Sequence, residues 1–156
     1  MSNKVVAVAS TFFYFGYLPL APGSFASLAG VGLFILLQER LLGYVITLSI
    51  ITIIGFLSCG KMEKIVGKKD PSCIVIDEVA GMMIALFMLP AISSVMITSF
   101  FLFRAFDMFK IYPCSRLESL PGSAGIMLDD ILAGVYTNII LHLGLNFSGL
   151  RQLLIN

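Results

Sequence analysis

Residues 41–59 read LLGYVITLSIITIIGFLSC and include no charged side chain. A helix needs about 20 mostly apolar residues to cross a bilayer, so this stretch predicts a membrane-spanning helix. The whole chain of 156 residues has the same character, with 58% hydrophobic residues, 12% charged residues and a mean hydropathy of +1.00. Soluble domains carry about 25% charged residues. A chain this apolar could not cover a surface that faces water, so lipid is its expected solvent.

Further apolar segments lie on both sides of this stretch. They cover residues 5–20, 25–37, 73–89, 92–109 and 126–147, with proline or glycine in the breaks between most of them. We therefore predict an all-α fold: a polytopic membrane helix bundle of about four to five hydrophobic helices, in one domain over residues 1–156. The first segment is the weakest and is expected to be re-entrant or interfacial. A secretory signal peptide, cleaved near Ala21, is the less favoured alternative.

The distribution of basic residues predicts an orientation. The net charge of +1 offers no basic field for a nucleic acid, so the bilayer is the expected partner. Six basic residues fall in residues 60–71 or shortly after residue 109, against Arg40 and Arg151 in the alternate breaks. The six are Lys61, Lys64, Lys68, Lys69, Lys110 and Arg116. Basic loops tend to remain in the cytoplasm, which predicts that both of these loops are cytoplasmic. No feature of the sequence defines an oligomeric state.

Two pairs of acidic residues stand at the starts of apolar segments. Asp77-Glu78 and Asp129-Asp130 are each followed by an Ala-Gly step. Small residues let helices approach closely, which would bring the pairs together. Four carboxylates in a pocket of low dielectric cannot all stay ionised without a cation, and oxygen ligands at this density suit Mg²⁺ or Mn²⁺. The alternative is helix capping, in which acids favour the first turn because of the helix dipole.

Arg104, Asp107 and Lys110 follow one another at three-residue spacing. Residues three apart share a broad helix face, so the three side chains could hold a phosphate and a metal. In the alternative interpretation, Arg104 and Asp107 form an internal salt bridge and Lys110 extends to the lipid headgroups.

Two polar breaks are candidate sites of weaker specificity. Pro22-Gly23-Ser24 precedes an apolar segment, and Ser24 as N-cap would leave a helix N-terminus able to bind an anion. Asp70-Pro71-Ser72 has the form of an ordinary helix start, with Asp70 as N-cap and Pro71 at the first helical position.

The side chains that could act as nucleophiles are poorly placed. His142 lies 12 residues after Asp130, or about 18 Å along a helix. Cys59, Cys73 and Cys114 lack metal-site spacing, and carboxylates near Cys73 would raise its pKa. Water activated by a metal ion is the expected nucleophile.

Taken in order, these motifs resemble the phosphatidylglycerophosphatase A family. The resemblance extends from about Gly16 to Leu141 and rests on the four motifs and their spacing. They are Pro22-Gly23-Ser24; Asp70-Pro71-Ser72 with Asp77-Glu78 and Gly81; Arg104, Asp107 and Lys110; and Gly125-Ile126 with Asp129-Asp130 and Ala133-Gly134. One departure is Lys110-Ile111-Tyr112-Pro113, where the family usually has Lys-Pro-x-Pro.

The resemblance implies a Mg²⁺-dependent lipid phosphatase in the bacterial inner membrane that converts phosphatidylglycerophosphate to phosphatidylglycerol and phosphate. Its active site would face the cytoplasm. The expected metal ligands are Asp77, Glu78, Asp129 and Asp130, with help from Asp107. Arg104 and Lys110 would neutralise the phosphoryl group, Ser24 and Asp70 would contribute to substrate binding, and Asp130 of the catalytic Asp129-Asp130 pair would be the general base.

Two alternatives belong to other classes. Intramembrane acids also mark ion paths, so a small cation- or proton-coupled transporter is one of them; its acids would be expected at the membrane midplane rather than near one face. A CDP-alcohol phosphotransferase is the other, but the sequence lacks an Asp-Gly-x-x-Ala-Arg run with two later aspartates.

Overall fold

The computed structural model describes residues 2–109 and 120–147. Within these ranges the fold is helical and contains no strand, which confirms the predicted all-α class. The elements are α1 (Asn3–Ser10), a short 3-10 helix (Phe15–Tyr17), α2 (Pro22–Leu37), α3 (Leu41–Val66), α4 (Ile76–Leu86), α5 (Ser93–Phe109) and α6 (Ser123–Asn146).

Two helices in the described part of the chain are long and apolar enough to cross a membrane. These are α3, with 26 residues, and α6, with 24 residues. Helix α2 is apolar but shorter, and α4 has only 11 residues, or about 16 Å. The prediction of four to five hydrophobic helices of spanning length is therefore not confirmed.

The segment predicted over residues 5–20 is not one helix. Helix α1 ends at Ser10, and Phe12, Phe13 and Tyr14 all have positive φ. The Thr11 hydroxyl donates to the Ala7 carbonyl at 2.7 Å and accepts from the Tyr14 amide at 3.1 Å. Such local side-chain bonds compete with helix continuation. The chain turns here instead of extending an apolar helix.

The break predicted over residues 60–71 is largely helical. Helix α3 runs to Val66 and ends at Gly67, whose φ of 71° is the left-handed conformation common just after a helix. Lys61 and Lys64 are therefore on the helix, and only Lys68 and Lys69 follow it. The predicted capping by Asp70 is wrong, because α4 begins at Ile76 with Val75 as its N-cap.

Helix α4 forms the centre of the bundle. It packs against α2, α3, α5 and α6, and Val79, Ala80 and Met83 are fully buried. A helix that is surrounded by protein can be apolar on every side, so its sequence resembles that of a helix surrounded by lipid. This similarity explains why residues 73–89 were predicted to span the membrane. At its C-terminal end, Asn138 of α6 donates hydrogen bonds to the carbonyls of Ala85 and Phe87.

Close helix contacts around α4 require glycine. A Cβ at Gly134 of α6 would overlap the Gly81 carbonyl oxygen, and a Cβ at Gly81 would lie 2.7 Å from the Asp130 carbonyl oxygen. On the other side, a Cβ at Gly30 of α2 would lie 3.1 Å from the Val79 carbonyl oxygen. The close approach expected from the Ala-Gly steps is therefore present between α4 and α6.

Candidate active site

A polar pocket of about 320 Å³ lies where α2, α4, α5 and α6 meet. Its polar lining comes from Asp70, Ser72, Asp77, Glu78, Arg104, Asp107, Asp129 and Asp130. Ala21, Pro22, Gly23 and Ile74 complete the lining. Two distant parts of the sequence, the acid pairs, are thus brought into a single cavity.

The two acid pairs reach the pocket from different positions along their helices. Asp77 and Glu78 lie in the first turn of α4, as predicted. Asp129 and Asp130 lie about two turns inside α6, which begins at Ser123. A first-turn acid could be explained by the helix dipole, but the second pair is too far into its helix for the capping alternative to apply.

Three of the carboxylates lie close enough together to share a metal ion. Asp77, Glu78 and Asp130 each place one oxygen within 4.8 Å of the others. Asp77 and Asp130 are only 7% and 3% exposed. Among the described residues, Asp77 Oδ1 and Glu78 Oε2 are buried without a hydrogen-bond partner. Buried polar atoms are nearly always satisfied, so these oxygens fit a divalent cation bound by oxygen ligands.

Asp129 and Asp107 lie at the edge of this cluster. Asp129 Oδ1 accepts a hydrogen bond of 3.1 Å from the backbone amide of Asp130. Asp107 lines the same pocket from α5. Both were predicted as metal ligands, and both lie in the pocket, outside the three-residue cluster.

Arg104 lies between Asp107 and Glu78. Its Nη1 is 2.7 Å from Asp107 Oδ2 and 3.7 Å from Glu78 Oε1. Nε and Nη1 are nevertheless buried without a well-oriented hydrogen-bond acceptor in the part of the chain that is described. The Asp107 contact is thus an ion pair with poor hydrogen-bond alignment. The salt bridge of the alternative interpretation is present, and Arg104 also lines the pocket. Lys110 lies outside the described residues.

The start of α2 places a glycine against these charges. A Cβ at Gly23 would overlap Glu78 Oε1 and lie 3.2 Å from Arg104 Nη1. The predicted capping by Ser24 is wrong, because Ala21 is the N-cap and Pro22 opens the helix. Ser24 is half-buried in the first turn and is not among the residues that line the pocket. Gly23, quoted in sequence only as part of a motif, is the closer neighbour.

Asp70 reaches the pocket from the connection between α3 and α4. Its φ is 45°, and its backbone amide donates to Glu63 Oε1 at 3.4 Å. Asp70 lines the pocket, so it lies at the predicted substrate site without capping a helix.

Cys73 and His142 are two candidates for a nucleophilic side chain in the described part of the chain. Burial raises the pKa of the Cys73 thiol, which disfavours the thiolate. The cause is loss of solvent, whereas nearby carboxylates were expected. His142 Nε2 lies 3.2 Å from the carbonyl oxygen of Phe87, just beyond the C-terminal end of α4. Asp77 and Glu78 are at the other end of that helix.

The fold is helical, and its polar pocket brings buried carboxylates and one arginine together. The family model for phosphatidylglycerophosphatase A matches residues 8–145. The chain belongs to the phosphatidylglycerophosphatase A family, and it is a phosphatase.

Individual relatives agree with this assignment. Phosphatidylglycerophosphatase A from Haemophilus influenzae is 36% identical over 80% of this chain and 79% of the relative. The Escherichia coli protein of the same name is 36% identical over 81% of this chain and 76% of the relative. A Bacteroides thetaiotaomicron protein named "Putative phosphatidylinositol-3-phosphatase" is 34% identical over 81% of this chain and 84% of the relative. No solved structure gives a significant match. These findings do not support the transporter alternative.

Proposed function

We propose that this protein hydrolyses phosphatidylglycerophosphate to phosphatidylglycerol and inorganic phosphate in the bacterial inner membrane. The observation that carries the proposal is the meeting of Asp77, Glu78 and Asp130 with Arg104 in one pocket, in a chain that belongs to this family. Carboxylates alone would repel a phosphomonoester. A cation site beside an arginine can accept it.

The ligands proposed for Mg²⁺ are Asp77, Glu78 and Asp130, with Asp129 and Asp107 completing the acidic environment. Unpaired oxygens on Asp77 and Glu78 support this set, because a bound cation would satisfy them. Bound Mg²⁺ would supply positive charge that polarises the phosphoryl oxygens and makes water a better nucleophile.

Arg104 is proposed to bind the phosphoryl group. Its guanidinium is planar and can donate to two phosphate oxygens at once, and two of its N–H-bearing nitrogens have no aligned acceptor among the described residues. Such a donor stabilises most where negative charge develops in the transition state. Lys110, one of the predicted phosphate-binding residues, is proposed to add a second cation.

Proton transfer is assigned to a carboxylate of the α6 pair. In the proposed reaction, a carboxylate oxygen of Asp130 takes a proton from the attacking water, which then forms the new bond to phosphorus. The bond between phosphorus and the glycerol oxygen breaks, and Asp130 passes the proton to that oxygen, which completes phosphatidylglycerol and returns Asp130 to its carboxylate form. The backbone amide of Asp130 holds Asp129 Oδ1 in place, which leaves Asp130 as the better placed base.

Several helices are proposed to lie in the membrane with the pocket at the cytoplasmic face. Support comes from where the lysines lie relative to the pocket. Lys64, Lys68 and Lys69 flank the C-terminal end of α3, where Glu63 accepts from the backbone amide of Asp70, a residue of the pocket. The basic end of α3 and the acidic pocket are therefore at the same end of the bundle, and basic ends tend to face the cytoplasm.

A panel of lipid phosphomonoesters tests the substrate. We would measure phosphate release by the purified protein from phosphatidylglycerophosphate, phosphatidic acid and phosphatidylinositol-3-phosphate, each with Mg²⁺ and with a chelator. We expect phosphatidylglycerophosphate to give the highest kcat/KM and the chelator to abolish release. Preference for the inositol lipid, or release that survives chelation, would contradict the proposal.

A further inference from the structure

An apolar groove of about 360 Å³ lies between α2 and α5. Leu28 and Val31 form its wall on α2, and Met96, Ile97, Phe100 and Phe101 form its wall on α5. Ser93 is at its far end. From Ser93 to Phe101 the groove follows α5 for about 12 Å. We call it the α2–α5 groove.

The groove and the polar pocket follow one another along the same two helices. On α5, Phe100 in the groove is one turn before Arg104 in the pocket, and residues four apart share a helix face. On α2, Leu28 is one turn after Ser24, the residue that follows Gly23 of the pocket. The half-buried Ser24 thus lies on α2 between the two cavities.

The groove opens towards the outside of the bundle. Leu28, Ile97 and Phe101 are 52%, 57% and 68% exposed. On a helix in a bilayer, such side chains contact lipid. The groove is therefore open to surrounding lipid, and its walls are apolar except at Ser93. At Phe100 it comes within one helical turn of Arg104 in the charged pocket.

We propose that one acyl chain of the lipid substrate lies in the α2–α5 groove while its phosphate occupies the polar pocket. The inference rests on the proposed function, which makes the substrate a lipid with a terminal phosphate. The order of the cavities along α2 and α5 matches the order of apolar and charged parts in such a molecule. Because bilayer and groove are similarly apolar, the groove would add little binding energy. Its effect is to hold the phosphate at the depth and angle that Arg104 requires.

A larger apolar cavity provides the comparison. It has about 530 Å³, and its lining includes Val8 and Phe12 near α1, Ile50 and Ile54 of α3, and Ile76 of α4. Helices α1 and α3 contribute no residue to the polar pocket. At α4 only Ile76 lines the larger cavity, while Asp77 and Glu78 line the pocket. Leu33 of α2 also lines the larger cavity, but it lies about 15 Å along the helix from Gly23 of the pocket. Size alone would favour the larger cavity, whereas the one-turn spacing from Phe100 to Arg104 favours the α2–α5 groove.

The test fills each cavity in turn. Leu28→Trp and the milder Val31→Phe obstruct the α2–α5 groove, and Ile50→Trp obstructs the larger cavity as a matched control. Each purified variant is assayed on long-chain phosphatidylglycerophosphate and on the deacylated, water-soluble form of the same molecule. Thermal unfolding in the same detergent establishes that a variant is folded.

We expect the groove variants to lose at least about tenfold in kcat/KM for the long-chain lipid, while turnover of the soluble compound stays within about twofold of wild type. Ile50→Trp should match wild type on both substrates. Wild-type lipid turnover by folded Leu28→Trp and Val31→Phe would overturn the proposal, as would equal losses on both substrates in a folded groove variant. A wild-type protein that released no phosphate from either substrate would instead refute the proposed function.

Discussion

Gly81 of α4 and Gly134 of α6 pack backbone against backbone, so closely that a Cβ at Gly134 would overlap the Gly81 carbonyl oxygen. Asp77 is one turn before Gly81, and Asp130 is one turn before Gly134. The glycine contact therefore fixes how near the two carboxylates come to each other. Because core packing is dense and adjusts little, the geometry of the carboxylate cluster depends on residues that carry no functional group.

Gly134→Ala should destabilise the fold. Overpacking a tight contact costs about 1–3 kcal/mol, so we expect a lower midpoint of thermal unfolding in detergent and reduced activity. Gly144→Ala is the control on the same helix, because a Cβ there meets nothing within 4 Å and alanine favours a helix by about 0.5–1 kcal/mol. Equal midpoints for the two variants would show that the Gly81 contact is looser than described.

Gly23→Ala should reduce activity more than stability. The new Cβ would overlap Glu78 Oε1, the flexible end of a side chain that can move aside. Movement of Glu78 disturbs both the carboxylate cluster and the Arg104 contact, so we expect kcat to fall at least about tenfold, because catalytic groups tolerate little displacement. Gly32→Ala, on the same helix with nothing within 4 Å, should keep wild-type turnover. Wild-type turnover by Gly23→Ala would show that the start of α2 does not affect the active site.

A double-mutant cycle on Arg104 and Asp107 distinguishes substrate binding from structural pairing. Their 2.7 Å contact predicts that Arg104→Gln and Asp107→Asn each cost stability, and that the double variant recovers part of it, because no unpaired charge remains. Activity should stay at least about tenfold below wild type in the double variant, since the phosphate has lost its ligand. Stability and phosphate release should be measured in the same detergent. Recovery of turnover in the double variant would show that Arg104 has only a structural role.

Arg104→Lys should act mainly on the transition state. A lysine keeps the charge but cannot donate to two oxygens in one plane. We expect kcat and kcat/KM to fall together with little change in KM. A rise in KM at unchanged kcat would indicate that Arg104 binds the substrate and the transition state equally well.

Cysteine labelling tests the orientation. Val66 is 43% exposed at the basic end of α3. The variant is Val66→Cys in a chain whose native cysteines are replaced by alanine. We expect an impermeant thiol reagent to label it only after the cells are permeabilised, because basic ends face the cytoplasm. Labelling in intact cells would reverse the orientation and place the pocket outside.

The composition and the motifs predicted the helical class and the joining of the acid pairs, because both follow from local chemistry. The spacing Asp-x-x-x-Gly in α4 and α6 specifies a carboxylate one turn from a close contact. The predicted motif that contains Gly23 also lies at the pocket. Its key residue was missed because a glycine has no side chain on which a site hypothesis could rest.

The errors arose where tertiary structure overrides local signals. Helix α4 is apolar because protein surrounds it, and composition does not distinguish protein from lipid as a surrounding. Helix α6 begins at Ser123, just after Gly122 with φ 64°, so its acids are inside the helix instead of at its start. The turn after Ser10 depends on Thr11 and on a bond from the Val75 amide to the Ser10 carbonyl, a pairing between distant residues that no local pattern contains.

The most direct test of the account is the Mg²⁺ dependence of phosphate release by Asp130→Asn, compared with wild type and with Glu39→Gln. Glu39 is an exposed acid in the break between α2 and α3 and is not part of the pocket. If Asp130 binds the metal, Asp130→Asn should insert and fold normally but lose at least about 100-fold in turnover at every Mg²⁺ concentration, because even outer-shell partners of a metal are worth 10–100-fold. Glu39→Gln should titrate like wild type. A folded Asp130→Asn protein with wild-type turnover and Mg²⁺ response would contradict the proposed metal site.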